Sequence, residues 1–397
     1  MEKTSYKKRL GSKEKGALIF LPFCLVFSAA FLYLYFKQCI AGVYSLDVYE
    51  SDIYPYILEM QGRDSGYSFP YPVLFKLAAF FNLFLDAPKA MTVTVTILQT
   101  FALAVTYYYI RKNLANENDS LLREAGLALL TVSLFFVSML FNPFNMDDVF
   151  LYIGTGTPNP LHNATYVAAR GFAVITFFSF CALLEKENGE IKLKDALIFS
   201  ASLLLCNAAK PSYPLVFLSA GGLYEFYRLV KSKFKNIKEA VILLLCVMPT
   251  LIYMIYQKSA VFDETGGIGF CLGDVWRYYQ NNMLLGIVKG IAFPIVVLCF
   301  NYKKLAGSTV YRFAWIQFAL SFCEAYFLYE KGYRMGHFNF SWGYYYGMMF
   351  LFLASVIVLV QSDGKKSAKI TQWAFYGAHL LCGMLYFAKV FSGGSYA

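Results

Sequence analysis

Apolar runs of roughly 18 or more residues recur from one end of this chain to the other, each long enough to cross the ~30 Å of hydrocarbon in a bilayer. Backbone inside lipid must satisfy its own hydrogen bonds, which leaves helices or closed barrels. The runs are continuous instead of alternating, so helices are expected. Of the 397 residues, 58% are hydrophobic and only 15% charged, against about 45–50% and about 25% in soluble domains. The expected fold class is therefore all-α: a polytopic integral membrane protein with about eleven spans. They are read at 16–37, 88–110, 124–141, 163–184, 194–209, 212–229, 239–257, 284–301, 309–329, 341–361 and 369–390.

Positive charge orders these spans. Lys and Arg cluster at 1–15, 111–123, 186–194, 228–238, 303–312 and 365–369, segments that together hold 23 of the 35 basic residues. Cytoplasmic loops carry such an excess, so the N-terminus and these loops are expected inside. The net charge of +10 then reports topology, and nucleic acid is not expected as a partner. No cleavable signal peptide is expected either, because the run 16–36 is too long for an h-region and lacks a small-residue cleavage site. The nine cysteines stand singly with no CxxC pair, which argues against a structural zinc site or a disulfide framework. A Cys39–Cys271 bond is conceivable.

Residues 71–86, YPVLFKLAAFFNLFLD, test the topology. They number sixteen, contain Lys76 and follow Pro70. As a span they would invert every later loop and spoil the charge bias. They are read instead as a partly embedded, interfacial helix. One domain, 1–397, is expected, with a long first outer loop at 38–87 and further outer loops at 142–162, near Lys210, at 258–283 and at 330–340.

Most residues able to do chemistry fall on that outer side. The stretch 47–57, DVYESDIYPYI, sets Asp47, Glu50 and Asp52 beside Tyr54 just after the first span. A carboxylate held against a hydroxyl can act as general base, although each acid taken alone reads more readily as a solvated loop residue. In the second loop Asp147 and Asp148 precede GTGTPNPLHNATY, and His162, Asn163 and Arg170 lie where the chain re-enters the membrane. An arginine at such depth faces a polar cavity or snorkels to headgroups. The fifth loop, EKGYRMGHFNFSWGYYYG, gathers Lys331, Arg334, His337, Asn339 and Trp342. Arginine takes phosphate oxygens bidentately, and rings can stack on sugar faces, so a phosphate linked to a sugar suits this group. An ordinary interfacial belt would use the same residue types. The glycines of 154–156 and 266–273 match neither a P-loop nor GxGxxG. His379, inside the last run, reads as a packed core residue.

An acidic motif in the first outer loop, PYPVLFKL at 70–77 leading to an interfacial helix, and short basic inner loops together resemble the GT-C superfamily of polytopic glycosyltransferases. The resemblance implies a polyprenyl-phosphate-linked sugar donor, a glycan or glycolipid acceptor, surrounding membrane lipids, and an inverting transfer on the outer face of a bacterial cytoplasmic membrane. It implies a first-loop carboxylate as base: Asp52, or alternatively Asp47 or Glu50. Arg334, His337, Lys331 and Arg170 would neutralise the leaving phosphate, with Asn339, Trp342, His162, Asn163 and Tyr54 completing the substrate site. No cofactor is certain. Some members use a divalent metal ion, for which Asp147 and Asp148 are the weak candidates. The chain departs from the pattern in spacing its acids as D-x-x-E-x-D, in lacking a WWD motif and in lacking a large C-terminal outer domain. An envelope glycan polymerase or ligase, or a transporter or flippase of lipid-linked sugars, remains the alternative.

Overall fold

The computed structural model describes residues 12–116, 119–142, 151–186, 191–261 and 267–396. Among them the chain is almost entirely helical. The first part contains α1 (Ser12–Val43), α2 (Ile53–Met60), α3 (Val73–Asn82), α4 (Ala87–Leu114), α5 (Leu121–Ser133) and the single turn α6 (Leu151–Thr155). The middle holds α7 (Ala164–Leu184), α8 (Leu193–Ala209), α9 (Ser212–Lys231) and α10 (Ile237–Val261). There follow α11 (Asp274–Arg277), α12 (Met283–Asn301), α13 (Lys304–Gly307), α14 (Thr309–Phe327), α15 (Ser341–Val360) and α16 (Lys366–Phe391).

Seven helices among the described residues are long and apolar enough to cross a membrane. α3, with 10 residues, rises only about 15 Å and cannot span, in keeping with the reading of 71–86 as a non-crossing element. Helix α15 is apolar all round and buried from Ser341 to Leu359, as befits the central member of a bundle. α14 and α12 pack against it, while α1 lies along α4 and α7 along α8. Leu21, Leu25 and Val26 on α1 stay exposed, the expected state of a lipid-facing surface.

The third expected span, 124–141, is corrected. Its helix stops at Ser133, and the chain continues to residue 142 without regular structure. That backbone is nonetheless bonded. The Ser138 amide donates to the His379 carbonyl at 3.2 Å, and the Leu140 amide to the Lys289 carbonyl at 2.9 Å. Irregular backbone at this level is tolerated where protein surrounds it. Two features admit it. In α12 the helix breaks at Ile291, three residues before Pro294, freeing the Phe293 amide to donate to His379 Nε2 at 3.2 Å. The His379 Nδ1 lies 2.6 Å from the Ser138 carbonyl, so Nδ1 carries the proton and Nε2 accepts. A Cβ at Gly383 would fall 1.6 Å from the Phe136 carbonyl oxygen, hence glycine there. His379 is fully buried, the packed residue expected.

Two further expectations change. Ile268–Phe270 (β1) and Leu328–Glu330 (β2) form a short antiparallel ladder in a chain read as all-α, tying the 258–283 loop to the segment before α15. Cys39 and Cys271 are both free thiols.

Candidate functional site

At the end of the bundle where α1, α8 and α14 finish and α7, α9 and α15 begin, a cleft of about 370 Å³ opens. Asp52, His162, Asn163, Lys210, Arg334 and Trp342 line it, with His337, Asn339 and a set of tyrosines.

Asp52 occupies the N-cap position of α2, yet its side chain makes no capping bond. A residue type that ordinarily satisfies a helix start is diverted into the cleft. Its Oδ2 accepts from Asn163 Nδ2 at 2.7 Å, and its amide donates to the His162 carbonyl at 3.1 Å, which stitches the first loop to the 156–163 segment. Gln38 of α1 anchors that segment from the other side, donating to the Leu161 carbonyl at 3.1 Å.

Asn163 is the crossing point. As N-cap of α7 its Oδ1 accepts from the Tyr166 amide at 2.8 Å, and from the Thr165 hydroxyl at 2.7 Å. An amide N–H can only donate, so this cap fixes which end of the carboxamide is oxygen. The nitrogen is thereby left to donate both to Asp52 and to the Tyr56 hydroxyl, at 2.9 Å.

Lys210 follows the last residue of α8 and precedes Pro211. Proline disfavours the helical region for the residue before it, and Lys210 is accordingly extended, φ −165°. That turn swings the amine inward, where it donates to Thr165 Oγ1 at 2.9 Å and Asn163 Oδ1 at 3.2 Å and sits 4.5 Å over the Trp342 ring. Burial pushes its pKa down to about 7, against the opposing pull of the Asp52 and Glu330 carboxylates. Near neutral pH this amine is poised between charged and neutral.

His162 stacks on Tyr396 at 3.8 Å and meets the Tyr152 ring edge-on at 5.0 Å. Burial lowers its pKa to about 4, opposed by Asp52 and reinforced by Lys210, so the ring is neutral at pH 7. Its Nε2 lies 3.8 Å from Asp52 Oδ2, beyond a hydrogen bond, and its buried Nδ1 has no partner. On the far wall, Phe338 in a left-handed conformation, φ 49°, turns the chain between His337 and Asn339. Glu330 of β2 holds Arg334 as an ion pair at 2.8 Å and accepts from Asn339 at 2.8 Å.

The cleft thus unites Asp52, His162, Asn163, Arg334, His337, Asn339 and Trp342, from three loops read separately in sequence. Other expected residues lie elsewhere. Asp47 is exposed away from the cleft, and Glu50 accepts from Ser395 at 2.7 Å without lining it. Tyr54 is exposed against Gly42, because it points away from the α2 face that carries buried Tyr56. Lys331 is exposed, does not line the cleft, and its amide donates to the Gly267 carbonyl.

Arg170 is buried but outside the cleft, its guanidinium 3.8 Å from the centre of the Phe135 ring. It faces a small internal void between α4, α7 and α15; it does not snorkel to headgroups. Asp147 and Asp148 lie outside the described residues, and among the described residues no group of three or more acids, histidines and cysteines could hold a metal ion.

Sequence reasoning passed over Lys210, Glu330, Tyr71 and Tyr396. A lysine ending an apolar run directly before proline was the available signal for the first. Nothing in the sequence marks Tyr396, which reaches the site because its carbonyl accepts from the Tyr386 hydroxyl at 3.1 Å and the Gly393 carbonyl accepts from the Tyr49 amide at 3.2 Å. Comparisons with models of known protein families, with curated proteins and with solved structures return no match to this chain.

Proposed function

We propose that the protein is a membrane glycosyltransferase of the GT-C kind, moving a sugar from a polyprenyl-phosphate donor to a glycan or glycolipid acceptor. The observation that carries this reading is the meeting of one carboxylate, Asp52, with Lys210, Arg334 and His162 around a single ring-lined cleft. The Asp52 Oδ2 is occupied by Asn163, which leaves Oδ1 to take the proton of an acceptor hydroxyl. The hydroxyl oxygen forms a bond to the anomeric carbon from one face as the carbon–oxygen bond to phosphate breaks on the other, inverting the centre. Negative charge then grows on the leaving phosphate, where the preplaced cations Lys210 and Arg334 stabilise it. Tyrosine and tryptophan rings offer surfaces for the sugar.

Eleven crossings complete the membrane reading. α8, α9 and α14 join the seven long apolar helices, and α5 with the irregular stretch 134–142 makes one interrupted crossing. Arg111, Lys112, Arg123, Lys186, Lys192, Lys194 and the basic loop 228–238 lie at the end of the bundle away from the cleft, which orients the cleft outward by the positive-inside rule.

The test is transfer in membranes or detergent from a polyprenyl-phosphate sugar, comparing wild type with Asp52→Asn, Asp47→Asn and Arg334→Ala. Loss in the first and third with retention in the second is expected. Full activity in all three correctly inserted variants overturns the site. Sugar-lipid movement across vesicles with no new glycosidic bond makes the protein a transporter.

A further inference from the structure

A second cavity, of about 470 Å³, lies at the opposite end of the bundle. Lys186, Arg228, Lys231, Lys235 and Arg312 line it, with Glu239 the one acidic lining residue among the described residues. Some of this charge is answered: Arg228 pairs with Glu225 at 2.9 Å and Lys186 with Asp195 at 2.5 Å. Lys231 and Lys235 have no carboxylate partner among the described residues. Lys231 instead lies over the Tyr227 ring at 5.6 Å.

Next to this cavity runs an apolar groove of about 450 Å³ between α9 and α10, walled by Phe180, Phe226, Leu229, Val241, Leu244 and Leu251. The two hollows adjoin. Glu225 lines the groove and its ion-pair partner Arg228 lines the cavity. Gly222 lines the groove on an open side, where a Cβ would meet nothing within 4 Å.

From this juxtaposition we propose that the α9–α10 groove and the Lys231/Lys235 cavity form one binding site for a lipid with an anionic phosphate headgroup. The phosphate sits among the unanswered lysines and the hydrocarbon tail lies in the groove. Charge complementarity selects an anionic head, and the adjoining apolar walls select a tail over a soluble phosphate. The site is independent of the transfer reaction proposed for the Asp52 cleft.

Native mass spectrometry of the full chain tests it, with phosphatidic acid, phosphatidylcholine or inorganic phosphate titrated into the detergent-solubilised protein. Wild type is expected to retain phosphatidic acid at concentrations where phosphatidylcholine is lost. Lys231→Gln with Lys235→Gln, both exposed and so compatible with folding, should weaken retention about fivefold per lysine. Gly222→Phe, which fills the groove from an open position, should weaken it without touching a charge. Equal retention in both variants, or phosphatidylcholine held as well as phosphatidic acid, overturns the site. Displacement of phosphatidic acid by equimolar inorganic phosphate overturns the role of the groove and leaves a free-phosphate pocket.

Discussion

The two ends of this bundle carry cavities of similar size, about 370 and 470 Å³, both lined with cations, yet they are built differently. At the Asp52 end the polar groups are engaged with one another: Asn163 holds the aspartate, caps α7 and receives Lys210. At the opposite end two lysines have no carboxylate partner among the described residues and stand beside an apolar groove. Volume and charge alone do not tell the two apart. What differs is preorganisation: only the first has a carboxylate held by a neighbour whose own rotamer is fixed by a helix cap.

The largest break in this comparison is expected at Asp52. Asp52→Asn should lower transfer by about 10²–10⁴-fold, the usual contribution of a general base. Asp47→Asn, which alters an exposed acid outside the cleft, should stay within about twofold on the same scale. Rates measured on correctly inserted vesicles decide it, and equal losses would erase the distinction between the lining carboxylate and its neighbour.

Lys210 comes next. Lys210→Met should cost about 10²–10³-fold, as for loss of one preplaced charge-stabilising donor. With its pKa lowered to about 7, the amine is charged below that pH and neutral above it. Donor capture, read as kcat/KM, should therefore fall as pH rises through about 7. In Lys210→Arg, whose charge persists, that fall should vanish; an unchanged profile would remove Lys210 from phosphate recognition.

A smaller effect sharpens the architecture. Asn163→Ala removes the α7 cap, worth about 1 kcal/mol, and strips Lys210 and Tyr56 of a partner. Thermal unfolding should shift down by about 1–2 °C and Asp52 should lose its orientation, so that KM and kcat both worsen. A variant with wild-type melting would mean the network carries no stability.

A further effect appears only in acid. The folded-state pKa of His162, about 4, lies below the unfolded value near 6.5, so the unfolded chain binds the proton first. Stability is full above about pH 6.5 and declines as pH falls toward 4. His162→Phe should flatten that part of the stability–pH curve, and a slope that persisted would have to come from another group.

Much of this was legible in the residues. Ten of the eleven runs fold as helices close to their expected limits because a continuous apolar run of that length has no other way to bond its backbone in lipid. The exception, 124–141, looks no less apolar than the rest. Its departure depends on Pro294, Gly383 and His379, partners 150 to 250 positions away that no local pattern reveals. The site divides in the same way. Asp52, His162 and Arg334 announce themselves as charged or titratable residues in loops. Lys210 and Tyr396 matter only through where Pro211 and the last turn of α16 deliver them.

The bonding of residues 134–142 also bears on how the protein is made. The Ser138 carbonyl finds its partner in His379, 241 residues later, and the Phe293 amide finds the other ring nitrogen. While the chain is being inserted, neither α12 nor α16 exists when α5 enters the membrane, so this stretch has open donors and acceptors with no one to meet them. Its partners arrive only with α12 and α16, so this stretch settles long after α5 has been made.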